Sequence, residues 1–250
     1  MKVGYMAVLL GFLCCAVPVT GNAEELSADQ ILARTDARYN GFKDQEMDIE
    51  LIVFNTDGKK KSYSMNLRQL GTEKRLVRFT SGEVKGMSML TESIDRMYVY
   101  LPGYKKVRRL ASHNVNQAFM GSDFSNSDMA TAAYSDFYNA SIHQEDDKFW
   151  HLKLTPKNDS VQYGHLVMKV EKGTFMYWRL EFYNKKSEMV KLLENQVPKT
   201  FPGVTEPWHT EMTMSDPRTK HKTILKVNNL QLDQGLKKSL FTTRQLKWGK

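Results

Sequence analysis

The sequence predicts a single, mainly β domain of about eleven antiparallel strands with two helices (α+β). Two observations lead to this fold class. Beyond residue 41, apolar and polar residues alternate along short segments, as in half-buried strands. Each segment is bounded by Gly, Pro, Asp or Ser, which favour turns. Neither a Pro/Ser-rich linker nor a repeat of fixed period divides residues 24–250, so we interpret them as one domain.

Residues 1–23 are predicted to be a signal peptide outside the folded domain. Lys2 gives a positive start, Val3–Val17 is an almost unbroken apolar run, and Gly21-Asn22-Ala23 resembles a cleavage site. The run is short for a transmembrane helix, and an uncleaved anchor is the alternative. Cys14 and Cys15 are the two cysteines, so the exported chain would have no disulfide and no thiolate-bound metal.

An amphipathic helix is predicted over Glu25–Tyr39, in front of the strands. Ser27 is a suitable N-cap, and Gln30 three residues later completes a capping-box pattern. Leu26, Ile31, Leu32 and Ala33 supply its apolar stripe. Gly41 then ends the segment.

The predicted strands form two series. The first runs from "MDIELIVFN", through the hairpin turn Asp57-Gly58, to "KKVRRLA". A short helix within residues 125–133, with Ser127 as a candidate N-cap, separates it from the second series. The second series runs from "NASIHQED" to "HKTILKVNNLQL", and the terminal "SLFTTRQLKWGK" is predicted as a short helix or a tail.

The apolar inventory of the strands suggests a ligand cavity. The chain has 14 methionines, and flexible methionine suits a surface that adapts to variable acyl chains. Ordinary core packing is the alternative for any one residue. Together these residues fit a curved sheet whose concave face needs a helical lid or a hydrophobic guest. The candidate cavity residues are Met65, Leu67, Met87, Met89, Met97, Val99, Met168, Met176 and Trp178.

No residue pattern points to catalysis, a metal, a cofactor or nucleic acid. Ser112, His113 and Asp123 are the residue types of a catalytic triad, but their order and setting match no motif. The six histidines do not pair at metal-binding spacing, and there is no phosphate-binding glycine loop. Nucleic-acid-binding modules are also missing. We therefore expect a non-enzymatic protein without cofactors.

The basic segment Lys105–Arg109 has two interpretations. On a strand its cations fall on both faces, which favours an edge strand kept soluble by charge. The other interpretation is a site for an anion or a lipid head group, with Arg108 or Arg109 as the contact. The formal net charge of +8 suits transient contact with anionic membrane surfaces.

Several stretches resemble the outer-membrane lipoprotein-sorting protein family, a LolA/LolB-like group of Gram-negative periplasmic proteins. They are "KGMSML", "YVYLPGYKKVRRLA", "FMGSDFSNSDM", "MKVEKGTFMYWRLEFYNKKSEMVK" and most of residues 201–246. The resemblance implies an unclosed antiparallel β-barrel with helices over its concave face. It also implies a periplasmic, non-catalytic carrier of lipid or of lipoprotein acyl chains, expected to be a monomer.

Under this resemblance, residues 116–129 would lie across the mouth of the barrel. Phe119, Met120 and Phe124 would then form a gate against the concave face, with Gly121 allowing the turn. Asp123 or Ser125 would cap the helix that follows. Family members are associated with inner-membrane exporters of the RND/MMPL type, so an adaptor without cargo is the alternative function.

Overall fold

The computed structural model describes Met1 and residues 25–131, 133–159, 161–219 and 221–247. The predicted signal peptide lies outside these residues except for Met1. The described chain forms two α-helices, α1 (Ala28–Asn40) and α2 (Asn126–Ala130). Its strands are β1 (Asp44–Phe54), β2 (Lys60–Leu70), β3 (Lys74–Phe79), β4 (Ser88–Ser93), β5 (Arg96–Leu101), β6 (Lys106–Arg109), β7 (Tyr138–Glu145), β8 (Phe149–Pro156), β9 (His165–Glu171), β10 (Tyr177–Tyr183), β11 (Met189–Lys199), β12 (Trp208–Ser215) and β13 (Lys222–Leu232).

All the strands belong to one antiparallel sheet of 13 strands in the order β6-β5-β4-β3-β2-β1-β13-β12-β11-β10-β9-β8-β7. Strands that follow each other in the chain are neighbours in the sheet, apart from β6 and β7, and β1 pairs with β13. Within the described sheet the two edge strands, β6 and β7, do not pair with each other. The predicted mainly β, antiparallel and unclosed architecture is therefore confirmed.

The predicted number of about eleven strands is too small. Tight turns separate the alternating segments, and each segment pairs independently with the next. At the turn between β1 and β2, for example, Gly58 has φ +80° and Phe54 lies opposite Lys60. The last predicted strand of the first series, "KKVRRLA", is present as the four-residue edge strand β6 against β5.

The front helix follows the local pattern of the sequence. Helix α1 begins after Ser27, whose hydroxyl accepts a hydrogen bond from the Gln30 backbone, while the Gln30 side chain accepts one from the Ser27 backbone. The predicted capping box is thus confirmed. Ile31 and Leu32 on this helix are fully buried. No described helix is both long enough and apolar enough to cross a membrane.

The main core lies on one face of the sheet, called here the inner face. Tyr63, Met65 and Leu67 of β2 are buried there, as their shared face predicted. Ile31 and Leu32 of α1 belong to the same cluster. Because β1, β3 and β8–β13 also contribute buried side chains to this cluster, the sheet wraps around a single core.

A smaller cluster covers the opposite face of β3 and β4. Leu76 and Leu90 pack there against Phe241 and Leu246 of the C-terminal segment. The Ser88 hydroxyl donates a hydrogen bond of 2.7 Å to the Leu246 carbonyl, which fixes this segment to the sheet. The predicted terminal helix or tail is a pair of 3-10 turns, Lys238–Leu240 and Gln245–Lys247.

Candidate functional site

The segment between the two sheet edges covers part of the inner face, and we call residues 110–131 the cover loop. Phe119 and Phe124 are buried in the main core, and Met120 packs against it. The Phe119 ring stacks on Phe79 of β3, with 5.9 Å between ring centroids. Gly121 has φ +72°, the conformation expected for it. These placements match the predicted gate residues, while gating itself stays a prediction.

The cover loop is fixed to β13 through Asp123. The Thr223 hydroxyl donates to the Asp123 carboxylate at 2.7 Å and accepts from the Asp123 backbone N–H at 2.9 Å. His221 Nδ1 lies 2.8 Å from the other carboxylate oxygen. Asp123 therefore joins His221, and the exposed His113 of the considered triad is not its partner.

The helix in the cover loop is held by a second carboxylate, Asp128. Ser125 caps α2, since its hydroxyl accepts from the Asp128 N–H at 3.0 Å and its own N–H donates to Asp128 at 2.8 Å. The prediction of Ser127 as the N-cap was wrong, because the capping box forms between Ser125 and Asp128 and the helix begins two residues earlier. The Asp128 carboxylate also accepts from Lys191 at 2.6 Å and from the Tyr163 hydroxyl at 2.9 Å. Burial and the Asp128 charge raise the pKa of Tyr163, so this hydroxyl remains a donor.

The C-terminal end of α2 rests on Arg75 of β3. The guanidinium donates to the carbonyls of Met129 and Thr131 at 2.6 and 3.2 Å. Its Nε donates to the Gln69 side chain at 2.7 Å. Burial lowers the pKa of Arg75 to about 10, so the group is still a cation at neutral pH.

A cavity of about 170 Å³ lies between α1, the cover loop and the inner face. Its wall has an apolar part and a polar part. The apolar part consists of Met47, Ile49, Leu67, Phe124, Met129, Phe182, Leu193, Met212, Met214 and Leu225, beside Trp208. The polar part consists of Asp36, Tyr39, Asn40, Gln45, Gln69, Arg75, Asp128, Thr131, Tyr134, Tyr177, Asn195 and His209.

Some buried polar atoms at this cavity have no hydrogen-bond partner among the described residues. They are the Tyr39 hydroxyl, Gln45 Oε1, Asn195 Oδ1 and both ring nitrogens of His209. His209 is only 1% exposed, and burial lowers its pKa to about 4. Its ring also packs edge-on against Trp178. A cavity with such a wall suits a molecule with one apolar part and one polar part.

The predicted cavity residues occupy several environments. Leu67 lines the cavity, and Phe124 of the predicted gate does so as well. Met65, Met87 and Met168 are buried in the main core, while Met89 and Val99 pack against it. Met97 and Met176 are also buried. Trp178 is partly buried and donates to Glu171 from its indole nitrogen at 3.2 Å. Contact of these residues with a ligand stays a prediction.

The polar wall was missed by sequence reasoning, although a signal was present. Gln45 and Gln69 interrupt apolar inner-face positions, and they lie directly opposite each other on β1 and β2. Gln69 in turn lies opposite Arg75 on β3. A polar row thus crosses three strands of an otherwise apolar face.

The predicted head-group residues lie at the sheet edge. Arg108 and Arg109 are both exposed on β6. Arg109 donates to the Asp95 carbonyl at 2.9 Å and borders a groove of about 300 Å³. Tyr138 of the opposite edge strand and Asp128 of the cover loop line the same groove.

The comparisons with known proteins concern both the sequence and the fold. A family model described as "Uncharacterized protein" matches residues 71–248. No curated protein matches the sequence. Among solved structures, the chain is similar to a putative outer membrane lipoprotein-sorting protein domain from Vibrio parahaemolyticus, with a TM-score of 0.78 and 24% identity. That match covers 88% of this chain and 98% of the other.

Two further solved structures have the same fold. A protein of a domain-of-unknown-function family from Desulfovibrio piger has a TM-score of 0.80 and 26% identity, covering 88% of this chain and 97% of the other. A LolA superfamily protein from Nitrosomonas europaea has a TM-score of 0.75 and 20% identity, covering 88% of this chain and 100% of the other. The expected likeness to lipoprotein-sorting proteins is therefore confirmed at the level of the fold.

Proposed function

The chain belongs to the family whose model matches residues 71–248 and has the LolA-like fold of outer membrane lipoprotein-sorting proteins, and on this premise we propose that it is a carrier. Its cargo would be a lipid or the acyl chains of a lipoprotein. It would carry that cargo through the periplasm towards the outer membrane, without catalysing a reaction. The signal peptide predicted in residues 1–23 supports this location.

The observation that carries the proposal is the cavity beneath the cover loop. Its apolar wall is continuous with the main core, and Phe124 closes it from the side of the loop. At about 170 Å³ the cavity is small for an acyl chain, since pockets for drug-sized ligands are typically about 300–1,000 Å³. Cargo entry therefore requires the cover loop to move, so that the space held by Phe119 and Phe124 becomes part of the site.

The surface around the loop suits such a carrier. Arg108 and Arg109 lie exposed on the edge strand, where an anionic head group would remain outside the cavity. The same cations would favour brief contact with an anionic membrane surface. A monomer is sufficient for this function, because the cavity is built from one chain.

The test is native mass spectrometry of the protein purified from periplasm, followed by solvent extraction and lipid analysis. A bound acylated species at close to one per chain is expected. Uptake of a fluorescent acyl probe is then compared for Phe119→Ser, Phe124→Ser and the control Phe241→Ser. The control removes a buried ring from the cluster on the opposite face. Each of the three variants removes a buried ring and should lose about 3–5 kcal/mol of stability, but only the two gate variants should also change uptake.

An adaptor for an inner-membrane exporter of the RND/MMPL type is the second candidate. The dense packing of the inner face favours it, since Met65 and Met168 are at most 1% exposed. A protein that is empty after purification, and that takes up no acyl probe from vesicles, would support the adaptor and refute the carrier.

A further inference from the structure

We propose that the polar part of the cavity binds the anionic head, a carboxylate or a phosphate, of a single-chain amphiphile, with Arg75 as the cation that recognises it. This inference rests on the carrier function and specifies the ligand of the same cavity. The head would lie inward, beside α1, and not at the edge-strand cations Arg108 and Arg109, which would then contact only the membrane surface. The chain would contact apolar residues such as Leu67, Phe182 and Met214.

Arg75 has charge and hydrogen-bonding capacity left for a ligand. Its three hydrogen bonds use Nε and Nη1 and go to neutral oxygens of Gln69, Met129 and Thr131. Nη2 donates to no described residue, and no described carboxylate forms an ion pair with this guanidinium. Arg75 is partly buried. A cation partly withdrawn from water without a counter-charge is costly, and an anionic head would reduce that cost.

The unpaired polar atoms of the wall are a second, independent observation. Buried polar atoms are nearly always hydrogen-bonded, yet at this one cavity Gln45 Oε1 and Asn195 Oδ1 have no partner among the described residues. The Tyr39 hydroxyl and the His209 ring have only the Tyr177 and Gln196 backbone nearby, outside normal hydrogen-bond geometry. Gln45, Asn195 and His209 are each at least nine-tenths buried. Tyr39 and His209 are able to donate to head-group oxygens, and the two amide oxygens are able to accept from a head hydroxyl or a bridging water.

The same wall disfavours a cationic head. Asp36 is a carboxylate at the cavity, but its oxygens already accept from the backbone N–H groups of Tyr134 and Ser135 at 2.9 and 2.7 Å. Asp128, the other carboxylate, is paired with Lys191. Asp36, like Arg75, forms no ion pair among the described residues, but both of its oxygens accept hydrogen bonds, whereas Nη2 of Arg75 donates to no described residue.

The size of the cavity limits what enters without rearrangement. About 170 Å³ accommodates a head group and a short chain, whereas a long chain needs the cover loop to move. Octanoate is therefore a suitable first probe, with 1-octanol and octylammonium as the neutral and cationic heads on the same chain. Acetate tests the head without the chain, and dodecanoate and 1-dodecanol repeat the comparison at greater affinity.

The experiment is titration calorimetry of the purified, delipidated protein with these probes, using wild type, Arg75→Gln and Arg78→Gln. Arg78 is three residues further along the same strand, and its guanidinium donates to the Gln245 carbonyl of the C-terminal segment, away from the cavity. We expect octanoate and dodecanoate to bind at least about tenfold tighter than the alcohols of the same chain length. Octylammonium and acetate should bind weakly. Arg75→Gln should lose that preference, and Arg78→Gln should keep it.

The alcohol readout separates recognition of the anion from a structural effect. If Arg75 only holds the cover loop, Arg75→Gln changes octanol and octanoate binding equally, which overturns the proposal. Equal wild-type affinity for alcohol and carboxylate also overturns it. After either outcome, binding of a long-chain acyl probe would still support the carrier function. If no amphiphile of any head or length binds, the carrier function fails together with the inference.

Discussion

The hydroxyl of Thr223 and the carboxylate of Asp123 form a reciprocal pair that joins the cover loop to β13. One hydrogen bond of 2.7 Å runs from the hydroxyl to the carboxylate, and another of 2.9 Å runs from the Asp123 backbone to the hydroxyl oxygen. Thr223 is fully buried, so solvent does not replace these bonds when one partner is removed. The pair is therefore a main attachment of the loop that we propose must move.

Replacement of Thr223 by Val should release the cover loop. The change preserves the shape and removes both hydrogen bonds, so we expect a loss of about 1–3 kcal/mol in the free energy of unfolding. Hydrogen exchange at the cover-loop amides should become faster, and acyl-probe uptake should rise. Thr210→Val is the matched control, because the buried Thr210 hydroxyl donates only to the Val197 carbonyl. Equal exchange rates in the two variants would contradict an attachment role for Thr223.

The ion pair between Asp128 and Lys191 should be strongly coupled. Its atoms lie 2.6 Å apart, and the two side chains are only 8% and 20% exposed. Asp128→Asn leaves a partly buried ammonium without its counter-charge, so we expect a loss of about 2–4 kcal/mol. In the double variant with Lys191→Met, part of that loss should be recovered. Urea unfolding of the four proteins gives the coupling energy, and a value near zero would refute the pair as a support of α2.

Interactions between residues close together in the sequence could be predicted, whereas interactions between distant residues could not. The Ser27–Gln30 capping box needs residues three apart and was predicted correctly. The shared buried face of Tyr63 and Met65 follows from strand period alone. By contrast, Asp123 meets Thr223 across 100 residues, and no local pattern identifies such a partner. The contact follows from the arrangement of the whole sheet, with the cover loop lying against β13.

The polar part of the cavity shows the same limit. Its core is a row of Gln45, Gln69 and Arg75 on three neighbouring strands. Each residue alone resembles an ordinary polar strand position, and only the register places them side by side. The high methionine content instead predicted that apolar residues form the cavity. Those residues are mostly densely packed, because a sheet that wraps around one core fills its interior with the same side-chain types that a cavity would use.

His209 should make the protein sensitive to mild acid. Burial lowers its pKa to about 4 from an ordinary value of 6.5, so the folded state favours the neutral ring. Protonation of His209 does not reduce the free energy of unfolding above pH 6.5. That free energy falls progressively as the pH drops from 6.5 through 4, because the unfolded chain binds the proton first. A shift of this size corresponds to about 3 kcal/mol at most. Urea unfolding between pH 7 and 4 should show a smaller decline for His209→Gln.

The control for this prediction is His113→Gln. His113 is exposed on the cover loop, away from the packed interior, so its replacement should keep the wild-type decline. A parallel decline in His209→Gln and wild type would show that other groups cause the acid sensitivity.

The turn at Gly121 should resist any side chain for conformational reasons alone. Its φ of +72° is unfavourable for L-residues, although a Cβ atom there would meet nothing within 4 Å. Gly103 offers a matched comparison, because a Cβ atom there also meets nothing within 4 Å while φ lies outside the positive range. We expect Gly121→Ala to cost about 1 kcal/mol in the free energy of unfolding and Gly103→Ala to be neutral or slightly stabilising. Met120, directly before Gly121, also has a positive φ of 56°. The Gly121→Ala variant would therefore place two successive non-glycine residues in the left-handed region. Equal stability of the two alanine variants would mean that the turn relaxes freely, and the cover loop would then have no fixed closed conformation at this point.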